Sequence, residues 1–296
     1  HAEQTGGTMI AYEKVCVAER PDCVIVVGDV NATAAVALVC TKLGVPIVHL
    51  EAGLRSRDRS MPEEINRLVT DAIADLLWTP SADADENLRA EGIAPEKIDR
   101  VGNIMIDSFE MMRERIEAAS TREDLGLPPQ GYGVVTLHRP ANVDDPAVLA
   151  LITEQLLNAS ASLPLVFPVH PRTRARLADA GLQQRLAGAP GLRLVEPLSY
   201  VRFMNLVISA RVAITDSGGL QEETTYLGIP CITLRPNTER PVTVTAGSNR
   251  LARPEELGGL LTQALAGDWP RGQRPALWDG RTAGRCVDSL RRFLVR

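Results

Sequence analysis

Short apolar runs that alternate with longer amphipathic stretches constrain this chain more than any other feature. The runs fall at residues 23–27, 46–50, 76–79, 133–137, 163–169, 192–195, 212–215 and 231–234. Between them, stretches such as 32–43, 63–74, 147–159 and 220–227 space their apolar residues as helices do. Repeated βαβ units and parallel sheets follow from such alternation. The stretch Leu125-Gly126-Leu127-Pro128-Pro129-Gln130 interrupts the series, and its paired prolines suit a stiff linker. The expectation is therefore an α/β protein of two Rossmann-like parallel-sheet domains, one over residues 1–120 and one over 130–275. An amphipathic helix within 281–296, after the Trp278-Asp279-Gly280 turn, is expected to cross back to the first domain. The chain opens directly into a helix, read at 8–19, so the first domain lacks its usual N-terminal strand. That suggests a sequence beginning inside the natural protein.

Composition narrows the class. At 296 residues, 45% hydrophobic and 23% charged, the chain suits two ordinary domains and has none of the bias of a disordered or fibrous protein. A net charge of -5 argues against a nucleic-acid partner, which would need a basic stripe to displace counterions. Any anionic ligand must then be held by local arginines. No apolar run approaches a membrane span, and the first residues form no signal peptide, so a soluble, cytoplasmic protein is expected. The five cysteines, Cys16, Cys23, Cys40, Cys231 and Cys286, show no paired spacing, and neither disulfides nor zinc are expected.

Ligands of open parallel sheets bind beyond the carboxyl ends of the strands. Polar residues that directly follow apolar runs are thus the first candidates, and five places stand out. Gly28-Asp29-Val30-Asn31 ends one strand, where Asp29 or Asn31 also suits a helix cap. His49-Leu50-Glu51-Ala52-Gly53-Leu54-Arg55 puts three ionisable groups at the end of another, too many for a simple cap. In Pro62-Glu63-Glu64-Ile65-Asn66-Arg67 the proline suits a helix start, and the acids suit the positive end of its dipole. His138-Arg139 closes the strand that opens the second domain. In Thr215-Asp216-Ser217-Gly218-Gly219 a strand passes through glycines into a helix, so backbone N–H groups can approach a phosphate without interference from a Cβ. Glu223 lies one turn on, and Thr238-Glu239-Arg240-Pro241 follows the next strand. An arginine there can fork onto a diphosphate and a carboxylate can accept two ribose hydroxyls, which are the two ends of a UDP moiety.

Taken in order, these motifs, together with Val101-Gly102-Asn103 and Pro168-Val169-His170-Pro171, resemble the non-hydrolysing UDP-N-acetylglucosamine 2-epimerases. The resemblance runs from His1 to the C-terminal helix and implies a GT-B fold, with two domains facing a cleft. It implies that Ser217, Gly218 and Gly219 hold the diphosphate, that Arg240 pairs with it, that Glu223 holds the ribose, and that uracil lies near Leu198 and Phe203. Asp29, Glu51, Glu63 and His138 match catalytic positions. Gln4, Arg67 and His170 are candidates for a second, effector UDP-sugar. A homodimer is the family's habit, the partner molecule is the UDP-sugar itself, and no metal or redox cofactor is implied. The family's Gly-Thr-Arg-Pro-Glu segment has no counterpart here, and the loop between Arg55 and Pro62 is short for effector-binding members.

The reaction implied is elimination and re-addition. Carbon 2 bears an acetamido group and no adjacent carbonyl, so its proton is lost only as UDP departs, giving 2-acetamidoglucal and UDP. Inversion needs acid/base groups on both faces of the ring, which one carboxylate cannot reach. The three acids favour this over a GT-B glycosyltransferase, which needs a single base. A hydrolysing 2-epimerase is a second alternative, against which the resemblance of the Glu51–Arg55 and Pro62–Arg67 motifs favours the non-hydrolysing branch, and a catalytically silent UDP-sugar-binding regulator is a third.

Overall fold

A computed structural model describes residues 1–295; residue 296, the end of the expected C-terminal segment, lies outside the described residues. The chain divides into two compact units, His1–Asp107 with Ala276–Arg296, and Ser108–Pro275.

The first unit is built on four parallel strands in the order β1-β2-β3-β4: β1 Val24–Val27, β2 Ile47–Leu50, β3 Leu76–Thr79 and β4 Ile98–Arg100. Its opening helix, Ala2–Glu19, starts earlier than position 8, carried through Gly6 and Gly7. Helices Asn31–Leu43 and Pro62–Ile73 make the crossovers, and Ala37, Cys40, Ile47, Ala52 and Leu77 form one core layer. The C-terminal helix Thr282–Leu294 belongs to this unit: Trp78 donates its indole N–H to Ser289 Oγ at 2.8 Å, and Asp107 accepts from the Thr282 amide at 3.0 Å. Four strands of this kind, each followed by a helix, aim their carboxyl ends at a single edge.

The second unit is a six-stranded parallel sheet in the order β10-β9-β8-β5-β6-β7: β5 Gly133–Thr136, β6 Leu165–Pro168, β7 Leu192–Val195, β8 Val212–Thr215, β9 Cys231–Thr233 and β10 Asn249–Leu251. Its core packs Val135, Ile214 and Ile232 of the central strands against Ile152 and Leu156 of the helix Pro146–Ser162. The strand order turns back at β5 and β8, whose register pairs Thr136 with Thr215. That reversal is where such sheets open a crevice.

The change of unit falls earlier than the proline stretch suggests. The helix Ile104–Glu117 carries it: beyond Asp107, Phe109 packs edge-on against Tyr226 with centroids 5.9 Å apart, and the Ile116 carbonyl accepts from Asn205 at 2.9 Å. The stretch 125–130 lies within the second unit, where the Gln130 amide donates to the Ser209 carbonyl at 2.8 Å. Paired prolines mark a stiff turn there, and the boundary is a continuous helix whose second half is buried with the second unit.

Candidate functional site

In the first unit, β1 and β2 pair Val27 with Leu50, so Gly28-Asp29 and Glu51 leave the sheet side by side. A Cβ on Gly28 would stand 3.9 Å from Glu51 Oε2. Glu51 itself has φ 71°, a left-handed conformation that side chains rarely adopt and that requires surrounding structure to hold it. The holder is Asp71, buried on the helix Pro62–Ile73. Its carboxylate pairs with His49 Nδ1 at 2.6 Å and Arg55 Nη1 at 2.7 Å, and accepts the Gly53 amide at 3.0 Å. His49 Nε2 lies 2.9 Å from the Gly28 carbonyl, so the same ring ties both strand ends together. Burial pushes the Asp71 carboxyl up, but His49 and Arg55 outweigh it and hold it below the usual carboxylate range. His49 and Arg55 are thus the frame of the turn, and Glu51 is what the frame presents.

Arg67 completes this edge. Its side chain is 2% exposed, and its guanidinium ion-pairs with Asp29 and, at 2.6 Å, with Glu64. Glu64 accepts the backbone amides of Ser56 and Arg57, each at 2.9 Å. Burial raises the Glu64 carboxyl, yet Arg67 and the Ser56 amide carry it below its ordinary value. Arg67, a candidate for an effector contact on sequence, clamps Asp29 and Glu64 in this structure. Glu63 stands beside Glu64 in the first turn of the helix, where the dipole favours a negative charge. Gln4 is exposed and accepts from Asn31 Nδ2 at 2.7 Å.

In the second unit, β8 runs through Asp216 and Ser217 into the helix Gly218–Leu227. Ser217 is the residue before the helix, Gly218 and Gly219 begin it, and Ser217 makes no side-chain cap, so the N-terminal amides remain directed outward. Against Gly218 lies Arg240: a Cβ there would be 2.6 Å from Arg240 Nη1 and 2.8 Å from Glu239 Oε1. Arg240 Nε is 2.9 Å from Glu222 and its Nη1 is 2.5 Å from Glu239, which Arg235 also engages at 2.7 Å. Burial raises Glu239, but Arg240 and Arg235 dominate and hold it far below the usual range. The Arg235 side chain is 6% exposed, and its Nη1 is buried without a hydrogen-bond partner among the described residues. Glu223, one turn into the helix, is buried and accepts from the Tyr200 hydroxyl at 2.7 Å; burial pushes its pKa to about 7, with Tyr200 pulling the other way.

A pocket lies beside this helix end, lined by Thr136, Leu137, His138, Pro168, His170, Pro197, Leu198 and Phe203. It brings together Leu198, Phe203 and His138, and also His170, whose ring centroid is 5.9 Å from that of His138. His170, a candidate for a separate effector site on sequence, sits in this pocket at the start of the helix Pro171–Asp179. Sequence reasoning missed Asp71, Glu64, Arg235 and Glu239 as parts of the machinery. Glu64 and Glu239 carried a local signal, as the neighbours of Glu63 and Arg240.

Two all-parallel α/β units with polar edges of this kind place the chain in the GT-B class of α/β proteins. The family model described as UDP-N-acetylglucosamine 2-epimerase matches residues 1–291. The chain is 42% identical over 272 residues to a Methanococcus maripaludis protein named UDP-N-acetylglucosamine 2-epimerase, covering 90% of this chain and 74% of that relative. It is 40% identical over 255 residues to the UDP-2,3-diacetamido-2,3-dideoxy-D-glucuronate 2-epimerase of Pseudomonas aeruginosa, covering 85% and 69%. Among solved structures, the Methanocaldococcus jannaschii UDP-GlcNAc 2-epimerase in complex with UDP-GlcNAc and UDP superposes with a TM-score of 0.90 at 39% identity, covering 99% of this chain and 82% of that one. The chain belongs to the UDP-N-acetylglucosamine 2-epimerase family.

Proposed function

We propose that this chain interconverts UDP-N-acetylglucosamine and UDP-N-acetylmannosamine without net hydrolysis, by eliminating UDP to 2-acetamidoglucal and adding it back. The observation that carries the reading is the Gly218 turn: a helix N-terminus at van der Waals limit against an arginine, with the buried Glu223 one turn on. Backbone amides and a guanidinium suit a diphosphate that gains charge as it leaves, and such preorganised donors are effective because they need no rearrangement during the reaction. Glu223 then takes the ribose, and the apolar pocket of Leu198 and Phe203 takes uracil. In the first unit Glu51, Asp29 and Glu63 supply the acid/base groups for the two faces of C2. Arg67 holds Asp29 in place through its ion pair, and the Asp71 frame keeps Glu51 in its left-handed turn. A cytoplasmic location, expected from the sequence, and a homodimer, implied by the resemblance, belong to this proposal.

The test is proton NMR of UDP-N-acetylglucosamine incubated with the protein in D2O. The expected result is the UDP-manno epimer with deuterium at C2 of both sugars. Free N-acetylmannosamine in its place would make the enzyme a hydrolysing one. A parallel incubation with UDP-2,3-diacetamido-2,3-dideoxyglucuronate, the sugar in the name of the P. aeruginosa relative, decides the substrate; exchange confined to that sugar would overturn the choice made here.

A further inference from the structure

Asp216 follows β8 and His138 follows β5, and the pairing of Thr215 with Thr136 sets them next to one another. Asp216 is 0% exposed. Its carboxylate lies 3.1 and 3.0 Å from the His138 amide, 2.9 Å from the Arg139 amide, 3.1 Å from Asn142 Nδ2 and 2.9 Å from His138 Nδ1. The Asn142 group is identified as its NH2, because it also donates to the Leu234 carbonyl at 2.9 Å. Burial acts to raise the Asp216 carboxyl, but His138 and the two backbone amides together hold it below its ordinary value. An acceptor-only carboxylate fixes the direction of the remaining bond: Nδ1 of His138 carries the hydrogen. The backbone amides alone would satisfy a merely structural aspartate, whereas the bond to Nδ1 reaches a side chain that is 40% exposed and lines the pocket with Leu198 and Phe203.

We propose that Asp216 is the positioning residue of His138. By taking Nδ1–H it leaves Nε2 as the nitrogen offered to the ligand, and it fixes the plane of the ring. The inference rests on the epimerase reading above and gives it a specific partner. In the elimination the C1–O bond breaks with its electron pair going to the β-phosphate oxygen. The C2–H pair becomes the C1=C2 bond and the proton passes to a carboxylate, so UDP departs with one more negative charge. With the ring as imidazolium, its Nδ1–H held by Asp216, the second N–H at Nε2 is aimed at that diphosphate and donates to it as its charge grows; re-addition reverses the sequence. Asp216 touches no reacting atom and acts only through the ring.

The experiment compares Asp216→Asn, His138→Ala and the double variant, with 15N-histidine NMR on the unmodified chain. Asp216→Asn should lower kcat about 100-fold, in the range of a lost acid/base contribution, and leave KM for UDP-N-acetylglucosamine within about threefold. In the His138→Ala background the same change should add nothing. The alkaline NMR spectrum of the unmodified chain should show the His138 proton on Nδ1, a readout that does not depend on any variant folding. The proposal is overturned by a neutral ring protonated on Nε2, by full kcat in Asp216→Asn, or by losses that multiply in the double variant. Full activity in His138→Ala would also overturn it. A chain that converts no UDP-N-acetylglucosamine at all sinks the epimerase reading instead, and the position of the Nδ1 proton then decides the pairing by itself.

Discussion

The Tyr200 hydroxyl donates to Glu223 Oε1 at 2.7 Å, so the carboxylate proposed to hold a ribose already carries a hydroxyl. Glu223 is buried, and its pKa of about 7 means that the ligand-ready ion is disfavoured in the free protein below neutrality. UDP that needs the ionised form should therefore drive a proton off. Below about pH 7 the apparent Kd for UDP is expected to rise by up to about tenfold per pH unit, the limit for one linked proton. Isothermal titration calorimetry in two buffers of different ionisation enthalpy would read that proton directly. An affinity flat from about pH 5.5 to 8, the range over which one linked proton would act, would show that Glu223 is not its acceptor. Tyr200→Phe should leave the linkage in place, since burial is the larger cause of the shift.

The same group makes a prediction about stability. A carboxyl whose folded pKa is raised from its ordinary 4.5 to about 7 binds more protons folded than unfolded over that interval. Its contribution is therefore full below the lower value and is lost as pH rises through the upper one, by on the order of 3 kcal/mol for a shift of this size. Glu223→Gln should melt above the parent protein at about pH 8, match it near about pH 4.5, and bind UDP more weakly. Thermal melts at the two pH values check the sign.

Gly218→Ala tests the diphosphate turn. The added methyl would meet Arg240 Nη1 at 2.6 Å and Glu239 Oε1 at 2.8 Å, too close for either to stay. Arg240 must swing away from the helix end. UDP affinity is expected to fall about 10- to 100-fold, the worth of one charge-assisted contact of about 1.5 to 3 kcal/mol. Gly219→Ala offers a control on the same helix turn; equal losses in both would point to the helix end itself rather than to the arginine.

Much of this site was legible because it sits where strands end, and strand ends can be read from local pattern. Asp29, Glu51, His138 and the Gly218 turn all follow apolar runs directly. The supporting residues were not legible, because their partners lie far along the chain: Asp71 is 22 residues from His49, and Asp216 is 78 from His138. The strands β4 and β10 were missed for a different reason. Ile-Asp-Arg and Asn-Arg-Leu are short, polar edge strands that lack a continuous apolar run. The clamp role of Arg67 was not legible, because an arginine one turn after two glutamates reads equally well as a ligand contact or as a clamp. Only its burial separates the two.

That clamp should be sensitive to geometry. Arg67→Met removes the cation from the buried Glu64 and should destabilise the protein by about 3 to 5 kcal/mol, as for other buried pairs broken on one side. Glu64 has a depressed pKa, so its contribution is present above the unfolded value and lost as pH falls through the folded one. The deficit of the variant should accordingly shrink toward acid pH. Urea melts at about pH 7 and about pH 3 would check this, since the loss begins at the ordinary carboxylate value of 4.5 and continues below it; a constant deficit would assign the loss to packing.

Glu51 joins strain to chemistry most directly. Its φ of 71° is a conformation that glycine adopts freely and other residues adopt at about 1 to 2 kcal/mol. If the turn exists to present a carboxylate, removing the carboxylate should relieve the backbone while abolishing the reaction. Glu51→Gly should thus melt at or above the parent temperature and show no deuterium exchange at C2. Glu51→Ala keeps the unfavourable backbone and should be less stable than the glycine variant. The entropy that glycine regains on unfolding offsets about 0.4 to 1 kcal/mol of this gain, against the parent and against the alanine variant alike. An alanine variant more stable than the glycine one would mean that the left-handed turn is not strained in solution, and a glycine variant that still exchanges would remove Glu51 from the acid/base set.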